Sequence, residues 1–185
     1  MAIIGAGRFR RRIVEDFIQP KKGEKILDIG CGPGSVFSYF PTGVHYVGFD
    51  LSEDYIEAAV KSYGQKGTFF VGNVETVDLS SYAPFDKILA IGVLHHLNDQ
   101  QVTIMMEKVM AALRPGGVLI TLDGCFTKPQ NPIARRIIAA DRGEYVRTQE
   151  KYQQLVEPFG QLQSTLLTDG LRIPYTHLIM KVSKI

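Results

Sequence analysis

A glycine-rich turn directly follows a short apolar run, and this pair constrains the fold more than any other feature of the chain. The run Lys25–Ile29 predicts a buried strand, and the turn after it reads Gly30-Cys31-Gly32-Pro33-Gly34. Glycines in this position let the backbone approach a ligand without side-chain interference. The arrangement is typical of α/β proteins that bind a nucleotide at the edge of a parallel sheet.

A carboxylate at the end of the next predicted strand narrows the choice of ligand. Asp50 follows residues 44–49 and lies 20 positions after Gly30, where an acidic side chain can accept both hydroxyl protons of a ribose. The glycines, however, are spaced G-x-G-x-G and not G-x-G-x-x-G, the spacing that seats a pyrophosphate. Asp28, just before the turn, would repel a pyrophosphate and attract an ammonium group. These residues favour S-adenosylmethionine, which carries an ammonium group and an adenosine, over NAD.

The remainder of the chain alternates predicted strands with predicted helices. Further strands are predicted at residues 68–71, 85–91, 118–122, 163–168 and 177–182, and helices at residues 8–18, 52–63, 99–113, 131–140 and from Thr148. We therefore predict an α/β fold, a three-layer, Rossmann-like, doubly wound sheet that is mostly parallel and ends in an antiparallel C-terminal strand pair. Residues 1–185 are predicted to form one domain, with an N-terminal helical segment at residues 1–20.

The motifs, in their order along the chain, resemble those of the class I S-adenosylmethionine-dependent methyltransferases. The matching segments are ILDIGCGPG at 26–34, GFDLS at 48–52, GNVE at 72–75, FDKI at 85–88, LHHL at 94–97 and LRPGG at 113–117. A lone glycine motif would be weak evidence, but this ordered series covers residues 25–122, more than half of the chain. The resemblance implies that 1–185 is a single methyltransferase domain that uses S-adenosylmethionine.

The resemblance also implies which residues bind the methionine end of the cofactor. Asp28 and the backbone of Gly30 would hold the amino-acid group, while Gly32 and Gly34 would allow close packing around it. Ile91, at the end of the fourth strand, would add a backbone contact to the same end.

The adenosine end would lie against the second and third strands. Asp50 would accept the ribose hydroxyls, and Leu51 would pack against the adenine ring. Asn73 occupies a position where the family often has an aspartate, but its side-chain carbonyl can still accept from the adenine amino group. Val74 would offer its backbone N–H to the ring.

The substrate side is less constrained, because a general base is needed only if the nucleophile arrives protonated. His95 is the predicted base, since it follows the fourth strand and an imidazole titrates near neutrality. The alternative is that His95 and His96 pack or cap the next loop. The family resemblance predicts an acceptor-side insertion at residues 123–150. The predicted substrate contacts are His96, Arg135, Arg142, Tyr145, Arg172 and Tyr175.

Composition excludes several function classes and leaves others open. The net charge is only +2, although arginines cluster near residues 8–12 and 135–147, either to bind an acidic acceptor or as exposed helix surface. The two cysteines have no metal-ligand spacing, so no metal is predicted. No secretory signal or apolar run of about 18 residues is evident, so a soluble, cytoplasmic protein with no membrane span is predicted.

The predicted function is methyl transfer to a small-molecule acceptor, on oxygen or carbon. The sequence lacks the motifs of amino-methylating and cytosine-methylating nucleic-acid enzymes, so no stable nucleic-acid partner is expected. Two alternatives remain open: a cofactor-binding regulatory or RNA-interacting protein, and an NAD-dependent oxidoreductase. The sequence leaves the oligomeric state open.

Overall fold

Within residues 5–141 and 143–185, which the computed structural model describes, the chain forms a seven-stranded sheet with helices on both faces. The strands are β1 (Lys25–Ile29), β2 (His45–Asp50), β3 (Gly67–Val71), β4 (Phe85–Ile91), β5 (Leu113–Gly124), β6 (Gln161–Leu167) and β7 (His177–Ser183). Their spatial order is β3-β2-β1-β4-β5-β7-β6. Strands β1 to β5 run parallel, whereas β7 runs antiparallel to both β5 and β6. The predicted Rossmann-like sheet with its antiparallel C-terminal pair is confirmed.

Strand β1 is an interior strand of the sheet, between β2 and β4, and is covered on both faces. Ile26, Leu27 and Ile29 are buried, as expected for an apolar run in a parallel strand. Leu27 pairs with Val47 of β2 on one side and with Ile88 of β4 on the other. The parallel register brings the carboxyl ends of β1, β2 and β4 to one edge, where open α/β sheets bind their ligands.

Helices cover both faces of the sheet. They are α1 (Ala6–Arg12), α2 (Glu53–Tyr63), α3 (Asp99–Ala112), α4 (Pro132–Ala139) and α5 (Gln149–Val156). Met105 of α3 and Tyr152 of α5 belong to the core on the Leu27 face, whereas Phe9 of α1 packs on the Ile26 face. None of the described helices is both long enough and apolar enough to cross a membrane.

Most of these helices begin where a polar side chain accepts from the unpaired N–H groups of the first turn. Ser52, Asn131 and Thr148 cap α2, α4 and α5, at the positions from which the sequence predicts those helices. Helix α3 begins at a reciprocal capping box between Asn98 and Gln101, which the sequence analysis did not predict.

The N-terminal segment differs from the continuous helix predicted over residues 8–18. Helix α1 ends at Arg12, and Ile13–Ile18 continue as a wider π-helical turn. The Gln19 N–H donates to the carbonyl of Val14, five residues earlier, at 2.7 Å. Pro20 cannot donate the hydrogen bond that would continue the helix, so the segment ends there. Residues 1–4 of the predicted segment lie outside the described residues.

Two other segments also depart from the predicted pattern. Turns and one short 3₁₀ helix, Phe37–Tyr39, connect β1 to β2, and Phe37 stacks on Tyr46 with 4.2 Å between ring centroids. This aromatic packing covers the sheet where an α-helix would otherwise lie. Strand β5 extends beyond the predicted residues 118–122, because it pairs with β4 on one side and with β7, as far as Gly124, on the other.

Candidate active site

The carboxyl ends of β1, β2 and β4 surround a cavity of about 340 Å³, which we call the glycine-turn cavity. Its wall contains several residues to which the sequence analysis gave a ligand contact: Gly30, Gly32, Asp50, Leu51, Val74 and His96. It also contains residues that the sequence analysis missed: Ile29, Phe49, Tyr55, Gly72, Gly92, Val93 and Leu97. Segments that are distant in sequence therefore meet at this edge of the sheet.

The glycine turn forms part of the wall with backbone instead of side chains. Gly30 has φ 65° and Gly32 has φ 54°, a left-handed conformation that glycine adopts without strain. A Cβ on Gly30 would lie 2.8 Å from Cγ2 of Val93, which is too close. Gly34 faces away, against Tyr63 of α2, where a Cβ would lie 2.9 Å from the ring. Gly30 and Gly32 leave room for a ligand, while Gly34 leaves room for α2.

Backbone hydrogen bonds hold the Asp50 carboxylate at the wall of the cavity. Its Oδ2 accepts from the Gly32 N–H at 2.9 Å, and its Oδ1 accepts from the Ser52 N–H at 3.0 Å. Each carboxylate oxygen has room for a second hydrogen bond, so both can still accept from a diol. Because the carboxylate is already oriented, the protein loses less conformational entropy when a ligand binds.

Asp28 lies in β1, beneath the turn and only 2% exposed. Its Oδ2 accepts from the Tyr46 hydroxyl at 2.6 Å. Burial raises the pKa of Asp28 from its ordinary 3.8 to about 7, although the Tyr46 hydrogen bond lowers it and the charge of Asp50 raises it further. A cation bound near the turn would stabilise the ionised carboxylate.

Leu51 and Tyr55 form the apolar side of the same cavity. Leu51 is 70% exposed and Tyr55 is 51% exposed, so both present apolar surface next to the cavity. Exposed apolar side chains next to an oriented carboxylate suit a ligand with a flat ring and a polar sugar. Tyr55 lies three residues after the cap Ser52, on the first turn of α2. Because the start of this helix was predicted, Tyr55 could have been placed near Asp50 from the sequence.

Two predicted cofactor residues lie beside the cavity with their side chains otherwise engaged. The Oδ1 of Asn73 accepts from the Glu75 N–H at 2.8 Å and thereby caps a turn. The side chain of Ile91 packs in the core beneath α1, whereas the next two residues, Gly92 and Val93, lie on the wall. The predicted backbone contact of Ile91 stays a prediction.

The two adjacent histidines after β4 lie in different environments. His96 lines the glycine-turn cavity, and burial together with the neighbouring His95 lowers its pKa below the ordinary 6.5. The Nδ1 of His95 lies 2.8 Å from Asp123 and its Nε2 lies 3.5 Å from Asp141. Burial lowers the pKa of His95, but the hydrogen bond to Asp123 and the charges of Asp123 and Asp141 outweigh burial and raise it. His96 therefore lies on the wall of the cavity, whereas both ring nitrogens of His95 face carboxylates, and the role of His95 as the base stays a prediction.

Tyr175 belongs to the polar network around His95. Its hydroxyl donates to Oδ2 of Asp141 at 3.2 Å, and its ring lies 4.4 Å from that of His177. His177 packs on Phe9 of α1 at 4.5 Å, and burial lowers its pKa to about 4. His177 is therefore neutral near pH 7, and a continuous line of contacts joins α1 to the end of β4.

Arg147 is a buried clamp on the turn that carries the two histidines. Its guanidinium donates to the carbonyls of Leu94, at 2.9 Å, and Leu97, at 2.6 Å, and to the carboxylate of Asp99, at 2.8 Å. For the arginines at 135–147 the sequence left two alternatives open, an acidic acceptor or exposed helix surface, and the buried Arg147 fits neither because its hydrogen bonds are used within the fold. These partners lie 48–53 positions away in the sequence, so no local signal indicates the clamp.

The other predicted substrate residues lie on several separate segments. Arg135 lies over the Phe126 ring, 5.3 Å from its centroid, and Arg142 lies outside the described residues. The Tyr145 N–H donates to the His95 carbonyl at 2.9 Å, and its side chain is exposed. Arg172 lines two other cavities. The assignment of residues 123–150 as an acceptor-side insertion stays a prediction.

Asp123 is a site residue that the sequence analysis missed. It lies near the end of β5, is only 2% exposed, and its Oδ1 also accepts from the His95 N–H at 3.2 Å. An acid at the carboxyl end of a buried strand is the same signal that identifies Asp50. Asp50 is also identified by a second signal, the glycine turn about 20 positions earlier in the chain. Asp123 has no such turn at that distance before it.

Comparison with known proteins supports the motif analysis. A family model described as a methyltransferase domain matches residues 26–117, about half of the chain. The ubiquinone biosynthesis O-methyltransferase of Maricaulis maris is 27% identical over 161 residues, 84% of this chain and 61% of that protein. The bacteriochlorophyllide d C-20 methyltransferase of Chlorobaculum tepidum is 26% identical over 174 residues, 87% of this chain and 49% of that protein.

A solved structure shares the fold over the whole chain. The magnesium protoporphyrin IX methyltransferase of Synechocystis, crystallised with bound S-adenosylhomocysteine, matches with a TM-score of 0.72 at 18% identity. The match covers 100% of this chain and 86% of that one.

Fold, motif order and family match together define a methyltransferase. The chain belongs to the class I S-adenosylmethionine-dependent methyltransferase family. This membership confirms the resemblance and favours a methyltransferase over the NAD-dependent oxidoreductase. The chain spans 61% and 49% of the length of the two curated relatives.

Proposed function

We propose that this protein transfers a methyl group from S-adenosylmethionine to a small-molecule acceptor, on oxygen or on carbon. The observation that carries this proposal is the Asp50 carboxylate, held by the Gly32 and Ser52 N–H groups at the wall of the glycine-turn cavity. A pre-oriented carboxylate beside a backbone turn suits the diol of a ribose. Family membership supports S-adenosylmethionine as the ligand that contains this ribose.

The residues around the cavity fit the adenosine end of this cofactor. Asp50 would accept from the ribose hydroxyls, and the exposed side chains of Leu51 and Tyr55 would cover the adenine ring. Val74 would offer its backbone N–H to the ring, and Asn73 could accept from the amino group with the lone pair that its turn leaves free. Ligand binding would thus cover two large apolar side chains that are now exposed.

The glycine turn fits the methionine end. The backbone of Gly30 borders the cavity, and Asp28 lies beneath it with a carboxylate whose ionisation a nearby ammonium group would favour. Two carboxylates, Asp28 and Asp50, make this edge of the sheet attractive to a cation. Their charges therefore support a cationic ligand rather than a pyrophosphate.

When bound, the cofactor supplies an electrophilic methyl group on a sulfonium centre. The chain has to align the acceptor and, where the acceptor is a hydroxyl, remove its proton. His96 lies on the wall, and its low pKa keeps the imidazole neutral and able to take a proton at Nδ1 or Nε2. His95 acts as a positioning residue, because Asp123 and Asp141 hold its ring while its neighbour faces the cavity.

The relatives support a small molecule as the acceptor. One is named as an O-methyltransferase of ubiquinone biosynthesis, and another as a C-20 methyltransferase of bacteriochlorophyllide d. These names cover oxygen and carbon as methylated atoms. A carbon acceptor activated by its own ring would need alignment but no base, so the same site can serve both chemistries.

Calorimetry with S-adenosylhomocysteine tests the proposal. We expect the wild type to bind and Asp50→Ala to bind about 100-fold more weakly, because two hydrogen bonds to a charged group contribute about 3 kcal/mol together. Asp54→Ala is the matched control, since Asp54 is an exposed carboxylate on the first turn of α2. It should bind as tightly as the wild type.

The variants also have to be compared for folding. Asp50→Ala leaves the Gly32 and Ser52 N–H groups without their acceptor, so Asp50→Asn, which keeps an acceptor oxygen, is the second variant. Thermal melts of both establish that they fold at the temperature of the titration. Absence of binding by the wild type, or unchanged binding by folded Asp50→Ala, would overturn the cofactor assignment.

A further inference from the structure

A second and larger cavity lies at the acceptor side of the sheet edge. It measures about 480 Å³ and is bounded by residues 127–134, which lead into α4, and by residues 168–176, which connect β6 to β7. We call it the α4 cavity. A third cavity of about 380 Å³, the Arg8 cavity, adjoins it, and the two share Leu171 and Arg172. Arg172 therefore stands between two open spaces.

We propose that the α4 cavity binds the carboxylate or phosphate group of the methyl acceptor, with Arg172 as the residue that recognises it. This inference rests on the proposed function, since it specifies the acceptor of the same methyl transfer. Arginine suits this role because its planar guanidinium can donate two parallel hydrogen bonds to an oxyanion.

The charges around Arg172 support an anionic ligand. Within residues 5–141 and 143–185, no carboxylate lies within ion-pair distance of Arg172. Arg8 lines the adjoining Arg8 cavity and adds a second positive charge. Asp169 lines that cavity too, but it pairs with Arg12 at 3.1 Å. The positive charge around Arg172 is therefore in excess.

The aliphatic part of Arg172 is supported on one side. Arg172 is an exposed residue, but Gly5 lies so close that a Cβ there would lie 3.4 Å from the Cγ of Arg172. The start of α1 thus limits the positions of this side chain, while the residue stays accessible to an anion. A side chain with fewer available positions loses less entropy when it binds.

A second observation, independent of charge, concerns Gln130 on the wall of the α4 cavity. Its Nε2 donates to the Cys125 carbonyl at 2.8 Å and to the Thr176 hydroxyl at 3.2 Å. The carbonyl partner fixes the orientation of the amide, because a flipped amide would place two acceptors together. Among the described residues, the buried Oε1 of Gln130 has no partner. Because this oxygen is enclosed, the amide shapes the wall of the α4 cavity and leaves the recognition of the anion to Arg172.

Contacts along the sheet edge connect the α4 cavity to the methyl donor site. Tyr175 lines the α4 cavity, and its hydroxyl reaches Asp141, which in turn faces His95. The rings of His95 and His96 lie 4.1 Å apart, and His96 lines the glycine-turn cavity. Strand β5 lies between β4 and β7, so the backbones of β4 and β7 are about 10 Å apart, twice the spacing of neighbouring strands. An acceptor that reaches from one cavity to the other would follow this line of contacts.

Amide NMR spectra of the ¹⁵N-labelled protein, saturated with S-adenosylhomocysteine, test the proposal with small probes. The probes are benzoate, phenyl phosphate and the neutral, similarly shaped benzyl alcohol. We expect both anions to shift the backbone amides of Gln130, Leu171 and Thr176 with millimolar affinity, and benzyl alcohol to leave them unchanged. The anion that binds with the higher affinity indicates whether the natural group is a carboxylate or a phosphate.

Arg172→Gln should weaken the binding of both anions at least tenfold, because it removes the charge and the paired donors together. Arg136→Gln is the matched control, since Arg136 is an exposed arginine of α4 that lines none of the cavities described above. It should bind the anions as the wild type does. The amide spectrum of each variant also reports whether it folds.

Three results would overturn the proposal. They are the absence of anion-induced shifts in residues 127–134 and 168–176, equal shifts in Arg172→Gln and wild type, and equal shifts by benzyl alcohol and benzoate. The shifts that S-adenosylhomocysteine itself induces at Gly30, Gly32 and Asp50 test the proposed function separately. Failure of the cofactor site and failure of the anion site are thus distinguishable in the same spectra.

Discussion

The glycine-turn cavity and the region around His95, Asp123 and Arg147, which we propose as the acceptor side, lie on the same edge of the sheet, but they are assembled in different ways. The first is formed chiefly by β1, β2 and the turns that follow them, and its key hydrogen bonds run from backbone N–H groups to Asp50. The second depends on side chains from distant segments, such as Arg147 on the Leu94–His96 turn and Asp123 on His95. A site formed by local backbone is set once its strands pair, whereas a site formed by distant side chains depends on each contact.

The two regions also differ in how freely their residues can be substituted. The glycine-turn cavity requires glycine at position 30, where φ is 65° and a Cβ would lie 2.8 Å from Cγ2 of Val93. The acceptor side places its cavities between loops, where residues can change without altering the sheet. A methyltransferase can therefore keep one cofactor and change its acceptor.

The largest expected effect comes from breaking the clamp on the acceptor side. Arg147→Met should lower the free energy of unfolding by about 3 kcal/mol, because it leaves the carbonyls of Leu94 and Leu97 without their charged donor. Urea unfolding measures this change. The affinity for S-adenosylhomocysteine should fall much less, since the Asp50 hydrogen bonds remain intact.

The control for this substitution is Arg114→Met. Arg114 pairs with Asp86 at 2.6 Å, but its side chain is 50% exposed, so its loss should cost less than about 1 kcal/mol. If Arg147→Met abolished cofactor binding while the protein stayed folded, the two regions would not be separable as described.

The next effect concerns the glycine-turn cavity: the titration of Asp28 should make both stability and ligand affinity depend on pH. Because the pKa of Asp28 is raised from 3.8 to about 7, the folded protein binds a proton that the unfolded chain has released. This contribution to stability is fully present below about pH 4 and is lost as the pH rises through about 7. An ammonium group of the ligand needs the ionised carboxylate, so the affinity for S-adenosylhomocysteine, which carries one, should fall as the pH drops below 7, by up to about tenfold per pH unit.

Calorimetry between pH 5 and pH 8 measures this dependence, and Asp28→Asn should remove it. Tyr46→Phe should shift the dependence to higher pH, because the Tyr46 hydroxyl donates to the ionised carboxylate and lowers its pKa. An affinity that is the same at pH 5 and pH 8 in the wild type would contradict a charge contact between Asp28 and the ligand.

The smallest effect separates the two histidines and needs no ligand. In ¹H NMR pH titrations of the imidazole rings, His95 should titrate above 6.5 and His96 below it. Asp123→Asn should lower the pKa of His95, because it removes the carboxylate that stabilises the protonated ring. His177, whose pKa burial lowers to about 4, is an internal reference for a buried ring.

Single His→Gln variants assign the three resonances. If His96 retained a proton to higher pH than His95, the assignment of His96 as the base and His95 as the positioning residue would have to be reversed.

Much of the fold could be predicted because its signals are local. Ser52 and Asn131 cap the helices that they were expected to begin, and the apolar run Lys25–Ile29 is a buried strand, as predicted. The π-helical turn at Ile13–Ile18 was not predictable from apolar spacing, because its hydrogen bonds are decided by the packing of α1 on the sheet and by Pro20.

The sequence alone determined the glycine turn, the acid at position 50, the mostly parallel sheet that follows from alternating strands and helices, and the family. These depend on backbone conformation and on residues close together in the chain, which spacing reveals. Only the tertiary structure decided which histidine faces the cavity, that Arg147 is a clamp, and that Arg172 borders a second cavity. Those roles depend on contacts between residues dozens of positions apart, and such contacts exist only once the sheet has brought its carboxyl ends to one edge.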